Sequence, residues 1–67
     1  MKDNWVKIYS SVDFYKVEIT QAVLKDQEIE SVILNKRDST YLFGEVELYV
    51  ATDNVLKSKQ IISNNDL

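Results

Sequence analysis

Apolar and polar positions alternate most cleanly over Glu45-Val46-Glu47-Leu48-Tyr49-Val50. That period of two predicts a strand with Val46, Leu48 and Val50 turned inward. Trp5-Val6-Lys7-Ile8-Tyr9 is β-branched and aromatic with the same alternation, and predicts a first strand. Between them the period changes. Val12, Tyr15, Ile19, Ala22 and Val23 recur at three- and four-residue intervals, widened by Phe14, Val17 and Leu24, which predicts a helix reaching about Lys25. Ser10 and Asp13 stand at its start in a Ser-x-x-Asp spacing, a hydroxyl able to cap free amides and a carboxylate in the positive first turn. Ser31-Val32-Ile33-Leu34-Asn35 is a short, nearly continuous apolar run and reads as a second strand. Lys36 to Phe43 opens polar and is turn-prone at Asp38-Ser39, and Gly44 marks the entry to the last strand. Thr52, followed by Asp53, is placed to cap a second helix in which Val55, Leu56, Lys59 and Ile62 share a side.

The order β-α-β-β-α predicts an α+β protein: a two-layer βαββα sandwich with both helices on one face of a three-stranded sheet. The right-handed crossover leaves a slot between two parallel strands, and the third strand fills it antiparallel to both, so the strand order is 1-3-2. This is a ferredoxin-like arrangement lacking its last strand. The outer edge of the first strand is therefore open, and an open edge invites pairing with another chain, a homodimer among the possibilities. The 67 residues make a single domain, ordered over about 4–63, with the polar segment 64–67 expected to be a flexible tail. So short a chain has a small core and marginal stability.

Composition narrows the chemistry. The chain has no histidine and no cysteine, which removes the commonest general base, the thiol nucleophile, disulfides and the preferred ligands of zinc, haem and iron–sulfur clusters. No Ser sits in a Gly-x-Ser-x-Gly elbow, and the lysines are spread singly among acids as helix-surface charge. No enzyme and no cofactor are expected. The net charge of −3 argues against a phosphate-backbone partner, for which a basic excess is usual. No apolar run approaches the roughly 18 residues that a membrane span needs, and no secretory apolar core follows Met1-Lys2-Asp3-Asn4. A cytoplasmic location is the expectation.

Four segments together resemble a known family: Val6-Lys7-Ile8-Tyr9-Ser10, Val17-Glu18, Ile29-Glu30-Ser31-Val32 and Gly44-Glu45-Val46-Glu47-Leu48-Tyr49-Val50. The family is a small bacterial one labelled putative signal-transducing protein, related in fold to the nitrogen-regulatory PII proteins. The resemblance covers about Trp5 to Ile62 and implies a fold and a signalling context, with no catalytic or binding residue attached. Where the family often has glycine just before the isoleucine, this chain has Glu28, which weakens the helix stop. The nucleotide-binding loop of PII proteins has no counterpart, because Lys36 to Phe43 is too short and lacks its glycines.

Candidate functional residues follow from the predicted faces. With Val6 and Ile8 turned to the helices, Trp5, Tyr9 and Tyr49 share the outer sheet face, joined by Ile33. That is more aromatic surface than solubility requires, and Trp and Tyr anchors are enriched at protein interfaces. Glu45 and Glu47 in the same patch would repel nucleic-acid phosphate. They could hold a cation or serve as an acid–base pair, but no third ligand is placed by sequence, and on the wet side of a sheet Lys7 can offset their repulsion. Tyr41 and Phe43, at the apolar end of the loop, are further contact candidates. Lys36 and Arg37 could meet an anion. The reading is an interaction or signalling adaptor with an unknown protein partner. A small-ligand (anion or nucleotide) sensor is the alternative, by analogy with PII-like proteins.

Overall fold

A computed structural model of the chain describes residues 4–35 and 45–67. Its elements run β1 (Trp5–Ser11), α1 (Phe14–Asp26), β2 (Ser31–Asn35), β3 (Val46–Ala51), a single 3₁₀ turn (Thr52–Asn54) and α2 (Val55–Asn64). The sheet has the order β1-β3-β2, antiparallel at both seams. Both helices pack on one face of it, as the βαββα reading expects. Val46, Leu48 and Val50 of the central strand are fully buried with Val17 and Leu24 of α1, and Ile29 nearly so. Ile8, Tyr9, Ile33, Val55 and Ile61 close around them. Each such aliphatic side chain contributes about 1.5–3 kcal/mol by leaving water.

Pairing of β1 with β3 is regular from Trp5 (opposite Ala51) to Lys7 (opposite Tyr49), then shifts, so that Tyr9 and not Ile8 faces Leu48. Ile8 is the extra residue of a β-bulge. A bulge resets the two-residue alternation, and this overturns one expectation. Tyr9 lies on the helix side with Leu48, away from Trp5 and Tyr49. Ile33 is corrected likewise: it pairs with Leu48 and packs on the core, which turns Val32 and Leu34 outward.

Helix α1 begins at Asp13, whose carboxylate accepts a 3.0 Å bond from the Tyr15 amide, while Ser11 Oγ accepts one from the Asp13 amide. The expected capping hydroxyl of Ser10 has no part in this. The stop is complete despite the absent glycine. Glu28 adopts φ 63°, the Ile29 amide donates to the Leu24 carbonyl, and the Glu28 amide donates to that of Lys25. These are the two bonds of a Schellman motif, and Leu24 and Ile29 supply its apolar contact. That contact fixes which side of α1 meets the sheet: Val17, Thr20 and Leu24. The buried Thr20 hydroxyl donates 2.9 Å back to the Lys16 carbonyl. Of the expected stripe, Val17 and Leu24 are in the core and Val23 is half-buried, whereas Tyr15, Ile19 and Ala22 face away, with Val12 65% and Tyr15 67% exposed.

Thr52 does not cap α2. Its amide and hydroxyl both donate to the Asn4 carbonyl, at 2.7 and 2.8 Å, and so tie the end of β3 to the start of β1. The inward side of α2 is Val55, Ser58 and Ile61, and Leu56 is 84% exposed. A second Schellman pair closes this helix, with Leu67 donating to Ile62 and Asp66, at φ 55°, to Ser63. The chain end thus lies on the helix side, where Leu67 lines a hollow with Tyr9, Lys16 and Ile19. It does not cover the outer sheet face.

Candidate functional site

The outer face is assembled by register. On the central strand Glu47, Tyr49 and Ala51 point away from the helices, since their neighbours Val46, Leu48 and Val50 point into them. Pairing then sets Lys7 and Val32 on either side of Tyr49, Ser10 and Leu34 on either side of Glu47, and Trp5 beside Ala51. Trp5, Val32, Leu34 and Tyr49 enclose a shallow hollow of about 350 Å³ walled almost wholly by carbon. Val32 is 43% and Leu34 39% exposed. Three strands thus each contribute to one apolar surface, and neither helix reaches it.

Lys7, Glu47 and the Tyr49 hydroxyl form its polar border. Tyr49 donates 2.8 Å to Glu47 Oε1, and Lys7 Nζ stands 3.4 Å from Oε2. Glu47 is unusually shielded for a carboxylate on an outer sheet face, at 9% exposure. Burial of a charge is tolerated where it is paired and hydrogen-bonded, and both conditions hold here. The bond to Glu47 raises the Tyr49 phenol above its ordinary value, assisted by desolvation and by the carboxylate's charge. The neutral phenol is the donor that a carboxylate requires.

Of the residues singled out from sequence, Trp5 and Tyr49 come together on this face, and Lys7 does offset Glu47 as anticipated. Tyr9 does not join them. Tyr41, Phe43, Lys36 and Arg37 lie outside the described residues. Val32 and Leu34 are the members that sequence reasoning missed. In a continuous run of Val, Ile and Leu no alternation tells the inner side chain from the outer, and only pairing with β3 decides. Among the described residues no three acidic side chains converge to hold a metal ion, and no helix is long and apolar enough to cross a membrane.

A family model described as "Putative prokaryotic signal transducing protein" matches residues 5–66. The chain belongs to that family, in agreement with the resemblance read from its strands. No curated protein and no solved structure matches it.

Proposed function

We propose that this family member is a non-catalytic signalling adaptor of the cytoplasm, which docks an amphipathic helix of a protein partner on the outer face of its sheet. The observation that carries the reading is the apolar hollow of Trp5, Val32, Leu34 and Tyr49 on the face left open by both helices. A three-stranded sheet measures about 10 Å between its outer strands, close to the diameter of one α-helix. A helix on this face would make the third layer of a common sandwich. Trp and Tyr are the side chains that most often anchor such contacts, and the Lys7–Glu47 pair at the border supplies both signs of charge for orienting the partner.

Self-pairing through the free edge of β1 has less in its favour. The bulge at Ile8 interrupts that strand, and bulged edges resist the addition of another strand.

The test uses Val32→Glu and Leu34→Glu, which place charge at exposed positions and leave the core intact. A partner captured by the wild-type protein from its own cells and identified by mass spectrometry is expected to be lost from both variants. Trp5, the sole tryptophan, should shift its emission to the blue when that purified partner is added. Retention of the partner by both variants, or an unchanged Trp5 spectrum, would refute docking at this face.

A further inference from the structure

Helix α1 has two apolar sides. Val17, Thr20 and Leu24 are buried against the sheet. Tyr15 and Ala22 lie on the opposite side and Ile19 at its edge, all exposed, Tyr15 at 67% and Ile19 at 37%, Ile19 also lining the hollow beside Leu67. With Asp26 next in line, the exposed set runs at intervals of four, three and four, the spacing of a helix–helix seam. Exposed Glu18 and Lys25, one heptad apart, stand along one border of it. Neither has an ion-pair partner among the described residues. Lys16 and Val23 form the other border.

We propose that this side of α1 is a self-association surface, packing antiparallel against the same side of α1 in a second copy of the chain. In an antiparallel pair each border meets its own counterpart. A border carrying one acid and one base a heptad apart is complementary to itself in that orientation, so Glu18 faces Lys25 of the second copy and Lys25 faces its Glu18. With the two-fold axis between positions 20 and 21, Ile19 packs over Ala22 of the second copy, and the Tyr15 hydroxyl meets the Asp26 carboxylate. The parallel alternative sets Asp26 against Asp26 and leaves Glu18 opposite Val23, so the charges select the antiparallel form. The small Ala22 lets the helix axes approach to about 8–10 Å.

Only one face of a short helix is engaged. The buried area is well under the roughly 800 Å² per partner of a stable complex, so the dimer is weak and fills with concentration. The outer sheet face takes no part, and this association stands or falls separately from the docking reading above.

Sedimentation equilibrium up to millimolar protein tests it. The wild-type chain should shift from monomer to dimer. Ile19→Lys should weaken association by about tenfold or more, and each single reversal, Glu18→Lys or Lys25→Glu, should also weaken it. The double variant Glu18→Lys/Lys25→Glu should recover it to within about threefold of wild type, since the reciprocal pairs are re-formed with signs exchanged. All three substituted positions are exposed, and circular dichroism verifies that the fold is kept. A monomer at millimolar concentration, a dimer indifferent to Ile19→Lys, or a double variant no better than its singles would each overturn the proposal.

Discussion

The Tyr49 hydroxyl donates a 2.8 Å hydrogen bond to the carboxylate of Glu47, its neighbour on the same face of the same strand. Side chains two apart along a strand point the same way, so this bond runs along β3. The phenol and Lys7 between them occupy both carboxylate oxygens. The outer face therefore has a pre-set polar border beside its apolar hollow.

A pH titration should register that bond. The Tyr49 phenol is raised in the folded protein, first by its bond to Glu47, then by desolvation and by the carboxylate's charge. Its stabilising effect is present in full below the ordinary tyrosine value, and is lost as pH climbs through the raised one. Absorbance near 295 nm should show a tyrosine transition above the ordinary phenol value, assigned to Tyr49. In Glu47→Gln that late transition should move down. A curve identical to wild type would contradict the assignment.

Glu28→Gly should stabilise the fold. Glu28 holds φ 63° to complete the stop of α1, a conformation that costs a side-chain-bearing residue about 1–2 kcal/mol and glycine almost nothing. Against the greater freedom of glycine when unfolded, a net gain of about 0.5–1 kcal/mol is expected. It should be read as a higher urea midpoint at unchanged slope. A lower midpoint would mean that the Glu28 side chain contributes something the backbone does not reveal.

Ser58→Ala should also stabilise. Ser58 is fully buried in α2, and its hydroxyl has no hydrogen-bond partner among the described residues. Removing an unpaired buried hydroxyl recovers about 1 kcal/mol of desolvation cost, and alanine is the better helix former. For a domain of this size, thermal unfolding should shift up by about 4–8 °C. A fall in midpoint would place a partner on that hydroxyl.

Two leucines should separate cleanly. Leu48 is fully buried at the centre of β3 and Leu56 is 84% exposed on α2. Leu48→Ala should cost about 3 kcal/mol or more, close to the whole stability of so small a domain. Leu56→Ala should change it by no more than about 0.5 kcal/mol. Chemical denaturation of the two variants checks this, and comparable losses would put Leu56 in the core.

Much of the architecture was legible in the chain alone, because local chemistry was unambiguous there. The alternation of β3 left one way to turn Val46, Leu48 and Val50, and the element order with right-handed crossover left one strand order. Ser31–Asn35 stood out as a strand by its β-branched run. The aromatic pair Trp5 and Tyr49 followed from the same alternation, on the face opposite the core.

Tertiary packing decided wherever the sequence offered two equivalent sides. Helix α1 carries apolar residues on opposite faces, and the Leu24–Ile29 contact at its end chose the one with Val17. Val32, Ile33 and Leu34 are interchangeable by hydropathy, and pairing with β3 sent only Ile33 inward. The bulge at Ile8 has no marker such as glycine, yet it carried Tyr9 from the outer face to the core side. Periodicity specifies that an element has an apolar side; which side is buried depends on partners far away in the chain, and those exist only once the sheet has formed.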